Sequence, residues 1–466
     1  MRKEDGYIDI ENNEEKKVIK EVRDKIEREK SLKTSIKEGS ASSVMTGFGD
    51  SYITPYALTL NANNAQIGFL TSFTNLFAPI AQLFGSKLME KYSRKSIVSK
   101  FVFIQALTWI LMISLGFLFF KNIIPGLIPI ALIIIYVSYA IIGAIPGPSW
   151  FSWMGDIVPE SMRGKYFSKR NLICGIIALI AMLVGAFILD IFATRGYVLL
   201  GFSLLFFLAM VGRLFSAYYF TKQYEPKLEL RKGYYFSFFS FIRNSLNNNF
   251  GRFTIFVALI HFGTNIAGPF FAVYMLKELE FNYTTYMLVN ISATVFSLLI
   301  MPYIGKVADK FGNRELLRFG GLLIPVMPFL WLFSPNPYYL AFVPQLVGGI
   351  GWAAFNLGVS NYIYDNVTPE RRGICVSYFN IFAGVGIFLG ASIGGLIAEY
   401  APVKLISIFF FLFILSGLTR GIVSIIFLPR LNENRKVQKG SLLQVFKEIV
   451  PMRGIVYNLC GLVKHN

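Results

Sequence analysis

Twelve apolar runs, each close to the roughly 20 residues that a helix needs to cross the hydrocarbon core of a bilayer, decide the class of this chain before any motif is read. They fall at residues 40–60, 64–85, 98–120, 126–153, 171–192, 197–220, 254–276, 284–304, 317–334, 338–363, 374–398 and 403–428. Charged residues separate them. The first run is polar enough that hydropathy alone would miss it. A chain of 466 residues with 54% hydrophobic residues, 46 Phe and a mean hydropathy of +0.54 lies outside the soluble range of composition. The expected fold class is an all-α membrane protein with about 12 transmembrane helices.

A second feature divides the runs into two sets. Asp156, Arg163, Gly164, Ser168, Asn171, Gly175, Gly185 and Asp190 match Asp365, Arg372, Gly373, Ser377, Asn380, Gly384, Gly394 and Glu399 at an offset of 209. Each copy is a charged turn followed by an apolar helix that ends in an acid. Phe48-Gly49 and Pro55 match Phe262-Gly263 and Pro269, and Arg213 matches Arg420. Two halves in the same order with an even number of spans imply two six-helix bundles, related by an internal repeat about an axis along the membrane normal. The expected divisions are a charged tail (1–39), an N-terminal bundle (40–220), a linker with an amphipathic helix (221–253), a C-terminal bundle (254–428) and a tail with a second amphipathic helix (429–466).

The net charge of +18 would suggest nucleic acid in a soluble protein, but here its distribution reads as topology. Lys87, Lys91, Arg94, Lys95 and Lys100, then Arg163, Lys165, Lys169 and Arg170, then Lys306, Lys310, Arg314 and Arg318, then Arg371 and Arg372 fall on one side. The other side has little more than Lys121, Arg195, Lys277 and Lys404. Basic loops stay in the cytoplasm, so both termini are expected there, in a protein of the cell membrane that binds no nucleic acid. Residues 1–38 hold eleven basic and eleven acidic residues, unlike a signal peptide, and read as a solvated helix or tail. Three cysteines and two histidines imply neither a disulfide framework nor a metal site. There is no Gly-x-x-x-x-Gly-Lys-Ser/Thr loop and no Gly-x-Ser-x-Gly turn, which argues against ATP-driven and hydrolytic chemistry. No cofactor or enzyme activity is expected.

With these features the chain resembles the major facilitator superfamily from about residue 40 onward. The loop Gly305-Lys306-Val307-Ala308-Asp309-Lys310-Phe311-Gly312-Asn313-Arg314 is similar to that superfamily's Gly-x-x-x-Asp-Arg-x-Gly-Arg-Arg loop. The first-half copy, Ser86 to Lys95, departs from it, with Ser86 and Ser93 in place of both glycines and Glu90 in place of the aspartate. The resemblance implies a secondary transporter working by alternating access. The fourth span lacks the arginine, and the fifth the Gly-Pro pair, of many drug/proton antiporters in the superfamily, which argues against multidrug efflux.

Charged turns on the basic side suggest a cytoplasmic gate. Glycine supplies the positive-φ turn between helices. Pairs such as Asp309 with Arg372, or Glu90 with Arg163, would hold that side shut and release when the bundles rock. The candidate gate set is Glu90, Arg94, Asp156, Arg163, Arg213, Asp309, Arg314, Asp365, Arg372 and Arg420. Arg213 and Arg420 lie within spans, about 10 to 12 Å from the cytoplasmic end. Anchoring or gate pairing is expected of them rather than substrate contact.

Asp50 is the sharpest path candidate. It lies about 15 Å into the first span, near the midplane, and Ser43, Gly47, Asp50 and Thr54 would form one polar face. A carboxylate there can bind a proton or a cationic solute. In the seventh span His261, Thr264 and Asn265 share a face, and His261 is able to shuttle a proton near neutral pH. Asn75, Asn290, Gln345 and Asn356 complete the path set, each also suited to hydrogen bonding between helices. The expected function is secondary transport of a small solute, coupled to H+ or Na+, by a monomer in the lipid bilayer. The alternatives are a non-transporting sensor or scaffold on the same fold and a lipid-handling member of it.

Overall fold

The computed structural model describes residues 4–159, 162–226, 243, 248–367, 372–403, 406–433, 437–438, 440 and 442–449. These residues are helical almost throughout. Ten helices are long and apolar enough to cross a membrane, and two interrupted helical passes bring the expected count to twelve. The first pass is Glu4–Phe48 continued by Ile53–Thr59, and the ninth is Asn313–Leu323 continued by Val326–Leu330. Gly49 interrupts the one. Pro325, which cannot donate to a helical ladder, caps the second segment of the other.

The remaining passes are the second (Asn64–Leu88), third (Arg94–Phe120), fourth (Ile128–Ala144 with Gly147–Ile157), fifth (Arg163–Thr194) and sixth (Val198–Thr221) in the N-terminal bundle. In the C-terminal bundle they are the seventh (Asn249–Ala267 with Phe270–Val273), eighth (Tyr283–Phe311), tenth (Pro337–Phe342 with Pro344–Asn366), eleventh (Arg372–Tyr400) and twelfth (Ile408–Phe427). Packing repeats between halves: the first pass lies on the fifth and sixth as the seventh lies on the eleventh and twelfth. Across the interface the second pass packs on the eleventh and the fifth on the eighth. Gly68 and Gly395 make the first of these contacts possible, because a Cβ on Gly68 would stand 2.9 Å from the Gly395 Cα.

The segment before residue 40 departs from expectation. It is one continuous helix with the first pass, and Ser31, Ser35 and Glu38 are buried against the bundle. Ser31 accepts from Tyr224 N, Ser35 donates to the Met154 sulfur and Glu38 pairs with Arg170, so the helix does not end where the chain stops being apolar. The second amphipathic helix, seen as Leu442–Ile449, docks on the C-terminal bundle: Val445 is fully buried, and Lys310 Nζ reaches Glu448 Oε1 at 2.6 Å. Of the first amphipathic helix, expected within 233–252, residues 233–242 and 244–247 lie outside the described residues, and 249–252 begin the seventh pass.

The apolar core shows how the bundles meet. At the end away from the basic turns, one buried cluster runs through both halves, joining Tyr52, Tyr56, Leu189 and Phe202 to Ile266, Phe270, Tyr286 and Phe413. At the basic end the clusters are separate. Val98, Val102, Trp153 and Phe220 form one in the N-terminal bundle, while Phe253, Phe256, Phe355 and Tyr362 form another in the C-terminal bundle. A shared core at one end and divided cores at the other describe two bodies closed at the far end.

The two basic-side turns reverse the chain differently. Gly312, at φ +87°, ends the eighth pass and lets the ninth start at once. The first half, which has Ser93 there, uses the longer turn Met89–Ser93, and the Ser93 hydroxyl accepts from Ser96 N to cap the third pass. Gly305 lies inside a helix.

Candidate functional site

The break in the first pass builds the site. The helix stops at Phe48 because Gly49 adopts φ −106°, ψ −80°, and a Cβ at Gly49 would strike the buried Trp109 indole. The next residue, Asp50, thereby turns toward the fourth pass. Its Oδ1 accepts from the Tyr139 hydroxyl at 2.7 Å. Tyr139 stacks on Tyr136, with centroids 5.5 Å apart and planes at 12°, and meets Trp109 edge-on at 5.1 Å.

The four-residue polar face expected around Asp50 is therefore split. Gly47 faces Ala178 and Ala181 of the fifth pass, and the Ser43 hydroxyl donates back to Gly39 O at 2.9 Å. Asp50 and Thr54 follow the break, on a new register. Tyr139 and Trp109 had no signal in the sequence, because aromatic residues within apolar runs read as core.

Below Asp50 a buried line of polar groups leads toward the basic end. Arg213 Nε donates to Gln105 Oε1 at 2.8 Å and its Nη1 to Ser42 Oγ at 2.9 Å. Gln105 in turn reaches the Tyr139 carbonyl at 3.4 Å. The Ser216 hydroxyl donates to Glu38 Oε1, and Arg170 Nη2 donates to Glu38 Oε2, both at 2.9 Å. Two arginines and two acids thus share one bundle. Spacing along the first helix offered a signal: Ser35, Glu38 and Ser42 recur at three and four residues, one polar face that continues into the membrane.

The C-terminal bundle repeats the arginine without the acid. Thr264 stands where the first half has Asp50, and Arg420, fully buried, donates Nη2 to the Thr264 carbonyl at 3.3 Å and Nη1 to Ile324 O at 3.2 Å. Arg213 and Arg420 each bind within their own bundle. His261 stacks on Trp352 at 6.1 Å, and its carbonyl accepts from the Asn265 amide at 2.9 Å. The amides of Asn75 and Asn290 likewise donate to carbonyls one turn back, at 2.9 Å each. Gln345 is buried, whereas Asn356 is exposed.

At the basic end, Arg94 staples the N-terminal bundle. Its fully buried guanidinium donates Nη1 to Asp156 at 2.6 Å and to Ser152 at 3.0 Å, and Nη2 to Pro226 O at 2.9 Å. Its backbone N–H donates to Glu225 at 2.7 Å. The second half keeps both acids and divides the cation's work. Asn313 donates to Asp365 at 2.6 Å, and the Arg314 N–H donates to Glu433 at 2.9 Å. In this conformation Asp156 and Asp365 therefore bind inside their own bundles. Glu90 and Asp309 are exposed. The side chains of Arg163 and Arg372, their expected partners, lie outside the described residues.

The second and eleventh passes touch as deep as Asn75 and Gly384, but among the described residues the hydrogen bonds between bundles are at the far end, and the duplicated helices make the charged ones. Asp190, at the end of the fifth pass, accepts from the backbone N–H groups of Tyr283 and Thr284 at 2.8 and 2.9 Å. These open the eighth pass. Glu399, its repeat partner at the end of the eleventh, accepts from the N–H of Asn64, which opens the second pass, at 2.9 Å. Each acid thus satisfies unpaired donors at a helix N-terminus of the opposite bundle, where the helix dipole favours negative charge.

The sequence profile of the Major Facilitator Superfamily matches residues 40–248 and again residues 253–461. The chain belongs to the Major Facilitator Superfamily. It is a membrane transporter of that superfamily. Over 105 residues it is 30% identical to "Multidrug resistance protein 1" of Bacillus subtilis, covering 22% of this chain and 27% of that protein. Over 147 residues it is 27% identical to "Quinolone resistance protein NorA" of Staphylococcus aureus, covering 32% and 37%. The matched stretches thus span about a third of each relative. Among solved structures the nucleoside transporter NupG superposes with a TM-score of 0.64 at 16% identity, over 85% of this chain and 98% of that one. A bacterial homologue of the iron transporter ferroportin gives 0.63 at 14%, over 88% and 98%. Likeness at this identity carries the fold.

Proposed function

We propose that this protein carries a small solute across the cell membrane by alternating access, that it stands here open at its basic, cytoplasmic end, and that Asp50 couples transport to a proton. The state of the two ends carries the first part: a shared core and crossed helix caps at one end, divided cores at the other. Bundles arranged in this way rock about the central site. The exposed Glu90 and Asp309 fit a cytoplasmic gate that is released in this state, to be closed through Arg163 and Arg372.

Asp50 supports the coupling. An ionisable group inside a span marks an ion or substrate path, and this one rests on a neutral hydroxyl rather than in a direct ion pair. Its repeat partner is Thr264, so the acid belongs to one half's chemistry and not to the duplicated frame. Purified protein in sealed proteoliposomes, screened against a small-solute library, tests the reading. A proton gradient drives accumulation in the wild type, and Asp50→Asn abolishes accumulation while leaving solute exchange. Flux indifferent to the gradient and unchanged in Asp50→Asn overturns the coupling.

A second reading has the solute's own positive charge on Asp50. The aromatic faces of Tyr136 and Tyr139 beside a carboxylate suit an organic cation, and the two curated relatives are named for drug resistance. Competition between such cations and protons for one site distinguishes it.

A further inference from the structure

Outside the path, a groove of about 700 Å³ opens at the basic end between the first helix and the start of the fifth pass, within the usual range of small-molecule sites. Arg28, Lys33 and Lys169 stand along it, and Leu32, Ile36 and Met162 line its apolar part. Its floor is fixed by two bonds between the elements: the Tyr166 hydroxyl donates to Leu32 O at 3.0 Å and Arg170 Nε to Ser35 O at 3.3 Å. Arg170 is already committed to Glu38. Arg28, Lys33 and Lys169 are exposed and make no ion pair among the described residues. Among the described residues, Glu29 is the acid in the lining.

The groove sits at the membrane edge. The fifth pass runs Lys165–Thr194 and its apolar run starts at residue 171, so along the helix Lys169 stands about 3 Å outside the apolar edge, within the headgroup layer, and Met162 roughly 13 Å outside it, toward the water. Three unpaired cations above an apolar trough at that depth complement an amphiphile with an anionic head and an apolar tail. We infer that this groove is a binding site for an anionic phospholipid, the phosphate lying among Arg28, Lys33 and Lys169 and the start of an acyl chain along Leu32, Ile36 and Met162. The bound lipid would join the first helix, outside the membrane, to the fifth pass. Basic residues near a membrane surface recognise anionic headgroups through this kind of clustering.

The test uses the full chain in nanodiscs of phosphatidylcholine containing phosphatidylglycerol, with retained lipid counted by native mass spectrometry after release. The wild type retains phosphatidylglycerol over phosphatidylcholine. Arg28→Gln, Lys33→Gln and Lys169→Gln each weaken that retention about fivefold, and the triple variant abolishes it. Circular dichroism confirms the fold, and the charge-conserving set Arg28→Lys, Lys33→Arg and Lys169→Arg retains the lipid. Equal retention by the wild type and the triple variant overturns the proposal. Inorganic phosphate protecting lipid-free protein from thermal unfolding as well as the lipid does would make this a free-anion site and also overturn it.

Discussion

Replacing Asp190 by asparagine removes a charge from a contact that, under the proposed alternating access, exists in one state only. In the far-closed state its two oxygens accept from Tyr283 N and Thr284 N at 2.8 and 2.9 Å; in a far-open state the bundles separate and water takes their place. A hydrogen bond to a charged group contributes about 1.5–3 kcal/mol, and the amide keeps one acceptor. Asp190 is half-buried, which puts the loss near 1.5 kcal/mol, roughly tenfold in the ratio of closed to open. Glu399 is exposed and makes one such bond, so Glu399→Gln shifts the ratio less, about threefold. The assay is alkylation of Thr59→Cys, whose native hydroxyl lies 3.4 Å from that of Tyr283 inside the closed end. Cys174, Cys375 and Cys460 are first changed to serine. An impermeant maleimide added on the far side reacts about ten times faster in Asp190→Asn than in its parent. An unchanged rate in a folded protein refutes the reasoning, because the cap would then be present in both states or in neither.

Other outcomes follow from the same contacts. Glu38→Gln leaves the Arg170 guanidinium without its acid and lowers stability by about 3 kcal/mol, read as a lower thermal midpoint in detergent; Glu27→Gln, which breaks only the exposed pair with Lys30, leaves the midpoint unchanged. Arg94→Lys cannot serve Asp156, Ser152 and Pro226 O together and costs about 2 kcal/mol by the same measurement. Asp50→Asn, with the Tyr139 bond still available to its amide oxygen, keeps the wild-type midpoint while losing gradient-driven accumulation.

Much of this architecture is written in the sequence, because crossing a bilayer imposes a length on apolar runs and duplication imposes an offset. Ten passes meet that length alone. The first hides its helix behind Glu38, Ser42 and Asp50, and the ninth is cut by Pro325. The site is less legible. Gly49 breaks the register on which the face of Ser43, Gly47, Asp50 and Thr54 depends, and a single glycine in an apolar helix gives no sign of which way the next side chain will turn. Glu38 is one of eleven acids before residue 39, so its pairing with Arg170 is invisible among solvated neighbours. The repeated acids Asp190 and Glu399 are plain in the alignment of the halves, yet their partners are backbone amides in the other bundle. A backbone N–H carries no side-chain signature, and only the fold brings it into reach.

Two distances in one molecule test the rocking of the bundles most directly. Spin labels at Lys121 and Tyr338 report the far end, and labels at Lys87 and Lys306 report the basic end; all four positions are exposed. Asp190→Asn combined with Glu399→Gln is predicted to lengthen the first distance and shorten the second in the same fraction of molecules. Distances that both stay fixed, or that lengthen together, would contradict alternating access between these two bundles.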